Sequence, residues 1–185
     1  RGLVGSEMCI RDSRMGDKTY PLSHNRIRHI YEDKEQQLWI ATDGSINRYD
    51  YATRQFIHYN IVDSTGMYNT NWTYYMFEDT AGQLWISTCL GGIFVVDKHK
   101  LMQSASGQYV AEQNYSVHNG LSGMFINQII PDNEGNVWVL LYNNKGIDKI
   151  NPRTREVTKL FADELSGEKS PNLSLIHISE PTRPL

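Results

Sequence analysis

Two carboxylate pairs, Glu32-Asp33 and Glu78-Asp79, are the side chains in this sequence best suited to acid–base chemistry. Neighbouring carboxylates can divide the roles of proton donor and proton acceptor between them. Both pairs recur at the same place in a repeated phrase, however, and this favours a turn-forming role. The histidines are scattered without metal-ligand spacing, and Cys89 has no motif partner. The sequence therefore predicts no catalytic set, no metal site and no cofactor.

Aromatic and amide side chains in predicted loops are better suited to binding a carbohydrate. Aromatic rings pack on the C–H faces of sugar rings, and amides form hydrogen bonds with hydroxyl groups. The candidate ligand-binding residues are Tyr68, Asn69, Asn71, Trp72, Phe125, Tyr142 and Asn143. Two other interpretations stay open: these are ordinary exposed loop residues, or Trp72 is packed in the interior between repeats.

A Trp-centred phrase that occurs three times indicates the architecture that positions these loops. An aspartate precedes the tryptophan by six residues each time, in the pairs Asp33 and Trp39, Asp79 and Trp85, and Asp132 and Trp138. The tryptophans are 46 and 53 residues apart, in the range of four-stranded propeller blades. The sequence predicts an all-β partial β-propeller of about three four-stranded blades, plus a remnant of a preceding blade at Lys18–Tyr20.

The turn after the first strand of each blade has its own chemistry. The aspartate accepts hydrogen bonds from nearby backbone N–H groups, and Gly82 or Gly135 three residues later can adopt a positive φ. Gln36 occupies the equivalent position in the first phrase. Either that turn is reshaped, or Gln36 adopts a left-handed conformation at a cost of about 1–2 kcal/mol.

The blades are expected at about residues 25–60, 71–118 and 124–161, with four strands each. Predicted first strands are Ile27–Glu32, Thr73–Glu78 and Ile126–Pro131; third strands are Ile46–Asp50, Ile93–Asp97 and Ile147–Asn151; outer strands are Gln55–Tyr59, Asn114–Val117 and Glu156–Phe161. Residues Lys98–Gln113 form a long insertion before the second outer strand.

The three tryptophans are expected to be buried between adjacent blades, where each contributes roughly 1.5–3 kcal/mol. A sugar-stacking role for all three is a weaker interpretation, because they repeat in the same register as the core. Loops that enter the first strands and loops that join the second and third strands should share one face. That face would hold the candidate ligand-binding residues together with Thr42 and Asp43.

Charge and hydropathy exclude some partners. The net charge is −3 and no Lys/Arg cluster is present, so this segment is not expected to contact nucleic acid. No apolar stretch reaches the ~18 residues that a membrane span requires.

Both ends of the chain are expected to be foreign to the fold. Residues 2–13 and 173–184 can be encoded by the two strands of one inverted DNA sequence, which resembles a transposon-end sequencing adapter. We therefore interpret residues 1–13 and 173–185 as translated adapter, and residues 14–172 as the propeller segment.

The phrases within residues 30–42, 76–88 and 120–138 resemble the two-component regulator propeller repeat. The resemblance implies a periplasmic sensor region of a hybrid histidine kinase, built from paired propellers and responding to breakdown products of polysaccharides. It also implies partners: the remaining blades, downstream signalling domains of the same protein, and a second copy in a homodimer.

Three hypotheses about function remain after this reasoning. The leading one is a non-enzymatic sensor for oligosaccharides. The second is a propeller enzyme acting on polysaccharide, a lyase or a glycosidase, whose catalytic residues lie in other blades. The third is a protein-interaction scaffold, which would show a large apolar patch on one face.

Overall fold

The structure, a computed structural model, describes residues 22–104, 108–142 and 146–160. Four of the predictions fall outside these residues: the adapter-derived ends at 1–13 and 173–185, the preceding-blade remnant Lys18–Tyr20, and the site residue Asn143.

The described residues form three sheets that follow one another along the chain. Blade 1 consists of β1 (Ile27–Glu32), β2 (Leu38–Thr42), β3 (Ser45–Asp50) and β4 (Gln55–Val62). Blade 2 consists of β5 (Thr73–Glu78), β6 (Gln83–Thr88) and β7 (Ile93–Asp97), which leads through the helix α1 (Lys98–Gln103) and β8 (Gln108–Val110) to β9 (Gln113–Tyr115). Blade 3 consists of β10 (Ile126–Pro131), β11 (Val137–Leu141), β12 (Ile147–Asn151) and β13 (Glu156–Leu160).

Each blade is an antiparallel meander, in the sheet orders β1-β2-β3-β4-β8, β5-β6-β7-β9 and β10-β11-β12-β13. The all-β partial propeller predicted from the sequence is therefore confirmed, and the first strands begin and end where predicted. In an antiparallel meander, the loops before the first strand and between the second and third strands lie at one end. The two other turns of each blade lie at the opposite end.

The predicted insertion Lys98–Gln113 turns out to have regular structure. After α1 it forms β8, which pairs in parallel with β4 and adds a fifth strand to blade 1. Blade 1 thus has the four predicted strands of its own and a fifth that the sequence analysis did not foresee.

The outer strand of blade 2 ends earlier than predicted, at Tyr115, because Val117 begins a short 3₁₀ helix that is capped by Ser116.

The repeated aspartate of each blade forms hydrogen bonds with both the turn and the tryptophan. In all three, Oδ1 accepts two backbone N–H hydrogen bonds of 2.8–2.9 Å within the turn. Oδ2 accepts the indole N–H of the tryptophan six residues later, at 2.9 Å each time. Gln36 has φ 60°, so the left-handed alternative holds, and Gly82 and Gly135 have φ 78° and 84°.

The cores lie between the blades. Trp39 is fully buried and packs in one cluster with Met76 and Ile86 of blade 2. Trp85 is buried in a second cluster with Ile129 and Val139 of blade 3. Trp138 has no following blade in the described residues; it is partly exposed, with the Lys149 Nζ 5.2 Å from its ring centroid.

A β-bulge occurs at the same place in each first strand, and the sequence analysis did not foresee it. The pairing of first and second strands skips one residue on the first strand: Arg28 in blade 1, Tyr74 in blade 2 and Asn127 in blade 3. A bulge bends its strand and redirects the side chain of the extra residue. The three bulges lie at the end of the blades where the candidate loops are found.

Candidate functional site

Four of the predicted ligand-binding residues line one cavity of about 310 Å³, called here the Trp72 cavity. It lies between the loop that enters β5 and the loop that joins β6 to β7. Its lining consists of Met67, Tyr68, Asn69, Asn71, Trp72, Leu90 and Gly91. The structure thus brings together the residues that the sequence analysis grouped in this loop.

Trp72 has an unusual backbone conformation that displays its side chain. Its φ is 55°, a left-handed value that bulky residues adopt rarely and at a cost of about 1–2 kcal/mol. Two hydrogen bonds hold it there: its N–H donates to the Asp43 carbonyl at 2.9 Å, and its carbonyl accepts from the Cys89 N–H at 3.0 Å. The side chain is 48% exposed, so Trp72 is not packed in the interior between blades.

The loop before Trp72 is held in place by its own polar groups. The Asp63 Oδ1 accepts the Tyr68 N–H at 2.8 Å, and the Asn69 Oδ1 accepts the Asn71 N–H at 3.0 Å. Burial raises the pKa of Asp63, but hydrogen bonds from Thr65 and from the Tyr68 N–H outweigh it and leave the pKa below its ordinary value. The loop is therefore preorganised, with an ionised carboxylate at its base.

A second cavity of about 240 Å³, called here the Tyr74 cavity, lies where blade 2 meets blade 3. Its lining consists of Tyr74, Cys89, Phe125, Ile126, Asn127 and Tyr142. Phe125 and Tyr142 are predicted site residues, and the Tyr142 N–H donates to the Phe125 carbonyl at 2.9 Å. The predicted residues therefore divide between two cavities.

The Tyr74 cavity is uncharged at neutral pH. Burial raises the pKa of Tyr74, and it also raises the pKa of the Cys89 thiol, against the opposing effect of a hydrogen bond with Tyr74. Both groups therefore stay protonated. The Arg28 guanidinium lies 4.6 Å from the Tyr74 ring centroid and is itself paired with Asp43, its Nε 2.7 Å from Oδ1.

Two residues that were expected on this face are not available to bind a ligand. Thr42 is fully buried, and its hydroxyl donates to the Ser45 carbonyl at 3.0 Å. Asp43 is also buried and is occupied by Arg28. Polar atoms that already have close protein partners are poorly placed to bind a ligand.

Tyr74, Cys89, Leu90 and Asn127 are cavity residues that the sequence analysis missed as site residues. Tyr74 and Asn127 are bulge residues, and a signal for them exists in the repeats. Arg28, Tyr74 and Asn127 occupy one repeat position but share no chemical character, unlike the tryptophans and aspartates. A position that varies inside an otherwise regular repeat is a candidate for function.

Within the described ranges, no group of three or more His, Cys, Asp or Glu side chains could hold a metal ion. Nor does any helix in that part of the chain have the length and apolar character to cross a membrane.

Comparison with known proteins agrees with this architecture. The family model described as "Two component regulator propeller" matches residues 21–44 and 120–143. No protein of curated function matches the chain.

Two solved structures of one extracellular domain from B. thetaiotaomicron, that of BT4673, are 95% identical to this chain, each with a TM-score of 0.82. That protein is described as a candidate one-component system in one structure and as a candidate hybrid two-component system in the other. The match covers 87% of this chain but 22% of the solved domain. The chain thus spans about a fifth of the length of these relatives.

Two more distant structures show the fold alone. The extracellular domain of the candidate hybrid two-component system BT3049 from B. thetaiotaomicron is 22% identical, with a TM-score of 0.54 over 72% of this chain and 17% of its own. Virginiamycin B lyase from Staphylococcus aureus is 15% identical, with a TM-score of 0.50 over 76% of this chain and 43% of its own. From the repeats, the blades and these matches together, the chain belongs to the two-component regulator propeller family and is a segment of an extracellular propeller domain.

Proposed function

We propose that this segment is part of the ligand-sensing propeller of a hybrid two-component sensor, and that it binds an oligosaccharide in the Trp72 cavity. The observation that carries the proposal is Trp72 itself. Its backbone is strained, both its N–H and its carbonyl are hydrogen-bonded, and its indole is nevertheless displayed to solvent. Strain of this kind persists where the surrounding structure enforces it, and it is concentrated at functional sites.

The lining of the Trp72 cavity suits a carbohydrate. Indole and phenol rings from Trp72 and Tyr68 offer faces for the C–H groups of a sugar. The amides of Asn69 and Asn71 supply donors and acceptors for hydroxyl groups. No residue that lines either cavity carries a charge, so the ligand is bound by stacking and hydrogen bonds.

Signalling would use parts of the protein that lie outside this segment. The family and the 95% identical relative support a complete sensor in which further blades close the propeller and a histidine kinase gives the output. We expect the complete protein to act as a homodimer, whose two arrangements differ in affinity for the ligand. A ligand shifts such an equilibrium only by its difference in affinity for the two states.

Calorimetric titration of the complete extracellular domain against a broad panel of oligosaccharides tests the proposal. At least one saccharide should bind, and Trp72→Gly should weaken that binding at least tenfold, because the stacking face is lost. Tyr51→Ala is the matched control: Tyr51 is 55% exposed and lies in the turn at the opposite end of blade 1. Absence of binding across the panel, or unchanged binding by Trp72→Gly, contradicts the proposal.

The two other hypotheses, a propeller enzyme and a protein-interaction scaffold, each require a distinct structural feature. An enzyme of the glycosidase type needs two carboxylates about 5–10 Å apart, and neither cavity has one in its described lining. A scaffold would use the exposed apolar side chains of Met67 and Leu90 on this face. Turnover of a polysaccharide by the complete protein would support the first hypothesis, and a protein complex formed through Met67 and Leu90 would support the second.

A further inference from the structure

We propose that the Tyr74 cavity is a second subsite of the same ligand site, filled only by oligosaccharides long enough to reach it from Trp72. The inference rests on the proposed carbohydrate-binding function. It adds that the site distinguishes long oligosaccharides from short ones.

The two cavities are neighbours separated by one piece of backbone. Trp72 lines the first and Tyr74 the second, only two residues further along. On the adjacent loop, Cys89 lines the second cavity and Leu90 the first. The hydrogen bond from the Cys89 N–H to the Trp72 carbonyl, 3.0 Å long, joins these two segments. Two residues of chain span at most about 7 Å, so the backbones of Trp72 and Tyr74 lie within that distance of one another.

The side chains of the Tyr74 cavity suit a ring with an apolar face. Tyr74, Phe125 and Tyr142 contribute three aromatic rings, and Asn127 contributes an amide. Tyr74 and Asn127 are the bulge residues of their strands, so both leave the regular pairing at the same level. Bulges next to binding sites commonly redirect side chains in this way.

Blade 2 supplies one side of this cavity and blade 3 the other. Tyr74 and Cys89 belong to blade 2, and Phe125, Asn127 and Tyr142 belong to the segments around β10 and β11 of blade 3. Phe125 and Tyr142 are about half exposed, which leaves their faces accessible. A ligand already held at Trp72 would meet this second surface as an intramolecular contact, at a high effective concentration.

The test is a length series measured on the complete extracellular domain. Gluco-, xylo-, manno-, galacto- and arabino-oligosaccharides of one to six units are titrated calorimetrically. In the series that binds, the affinity should rise at least tenfold at one step in length and then level off, because a second stacking surface is engaged. Trp72→Gly should weaken every length in that series.

Two variants assign the step to the Tyr74 cavity. Tyr142→Ala and Asn127→Ala should each reduce the rise, while short ligands keep their affinity within about twofold. Both residues are exposed, so the substitutions leave the core intact. Tyr51→Ala is the control, since Tyr51 and Tyr142 have nearly equal exposed fractions of 55% and 56%. The control should bind every length as the unmodified domain does.

The possible failures are distinguishable. If Tyr142→Ala weakens all lengths equally or none at all, the second subsite is wrong while carbohydrate binding at Trp72 stands. If affinity rises smoothly with length and no variant changes its slope, the second subsite is again wrong. If no series binds, the proposed function falls and this inference falls with it.

Discussion

The interface between blades 1 and 2 and the interface between blades 2 and 3 are built from the same repeat but are fastened differently. In the first, the buried Lys98 Nζ lies 3.2 Å from the Asp33 Oδ2 and 3.1 Å from the Glu78 Oε1. The Tyr31 hydroxyl also accepts the Glu78 N–H at 3.0 Å, and the His29 Nδ1 accepts the Met76 N–H at 3.3 Å. The last two contacts join side chains of blade 1 to backbone N–H groups of blade 2.

In the second interface three of these partners have counterparts that cannot form the same polar contacts. Phe77 occupies the repeat position of Tyr31, Pro131 that of Glu78, and Pro152 that of Lys98. The core there is aromatic: Trp85 stacks on Phe77 at 6.0 Å and on Tyr115 at 5.6 Å between ring centroids. The hydroxyl acceptor, the N–H donor and the cation have thus been replaced together.

This difference in contacts indicates which part of the segment can move. The first interface has polar contacts at both of its ends. Lys98 contacts Asp33 at the end where the Asp turns lie, and the Trp72 N–H donates to the Asp43 carbonyl at the cavity end. The second relies on stacked rings and on β5 and β10 packing side by side. Directional polar contacts fix a geometry more tightly than apolar contacts do. We therefore expect the Trp72 cavity to be rigid and the Tyr74 cavity to adjust with the position of blade 3.

The largest effect is expected from removing the cation of the first interface. Lys98→Ala leaves the buried carboxylates of Asp33 and Glu78 without their partner, which should destabilise the domain by about 3–5 kcal/mol. Lys149→Ala is the matched control, because Lys149 also lies near a repeat aspartate, 4.0 Å from Asp132, but is partly exposed. It should cost less than about 1 kcal/mol. Urea denaturation followed by tryptophan fluorescence measures both, and equal losses would contradict the comparison.

Acid should loosen the same interface by a smaller amount. Burial raises the pKa of Asp33, but hydrogen bonds from Trp39, Gln37 and Lys98 outweigh it, and the pKa lies below its ordinary value. A depressed pKa in the folded state stabilises the fold above the unfolded pKa of about 3.9 and is lost as the pH falls through the folded value. Stability should therefore change little between pH 5 and 8 on account of Asp33 and decline below about pH 4. Lys98→Ala should flatten this decline in part, and an unchanged decline in that variant would show that Lys98 does not contribute to it.

The same substitution should have opposite consequences in the two interfaces. Tyr31→Phe leaves the Glu78 N–H without its acceptor and should cost about 1–2 kcal/mol. The Tyr115 hydroxyl, by contrast, is buried and makes no hydrogen bond among the described residues. Burial has the largest effect on this hydroxyl and raises the pKa of Tyr115. Tyr115→Phe should therefore be neutral or stabilise the domain by up to about 1 kcal/mol. Thermal unfolding of both variants measures these effects. A clear loss of stability in Tyr115→Phe would contradict the expected difference between the two interfaces.

The smallest expected effect separates strain from binding at the cavity end of the first interface. Trp72→Gly should raise stability by about 0–1 kcal/mol, because glycine adopts the left-handed conformation freely. Trp72→Ala keeps the strain and should not stabilise the domain. Both should lose saccharide affinity, as measured by calorimetry. A Trp72→Gly variant that is less stable than the unmodified domain would show that the indole contributes packing, and one that is less stable than Trp72→Ala would show that the backbone is not strained there.

The repeats made much of this fold predictable. The step from Asp33 to Trp39 recurs in each blade, and it fixes the turn, the indole hydrogen bond and the strand that follows. The role of Lys98 could not be predicted, because it depends on two carboxylates that lie 65 and 20 residues away in sequence. The strand β8 was missed for a similar reason: three residues acquire their conformation by pairing with a strand of the preceding blade.

The candidate site was predictable in composition but not in arrangement. Loop chemistry alone grouped Tyr68, Asn71 and Trp72 with Phe125 and Tyr142. Their division between two cavities depends on the bulges at Tyr74 and Asn127, and a bulge leaves no simple signal in a single strand. The left-handed conformation of Trp72 was equally hidden, because it is imposed by the Asp43 carbonyl and the Cys89 N–H.

Hydrogen–deuterium exchange on the complete extracellular domain tests most directly whether the two interfaces differ as described. Peptides that cover β5, whose Met76 and Glu78 N–H groups are held by blade 1, should exchange more slowly than peptides that cover β10. Lys98→Ala should speed exchange in β5 and leave β10 unchanged. Equal exchange in the two strands, or faster exchange in β5 of the unmodified domain, would contradict a rigid first interface and an adjustable second one.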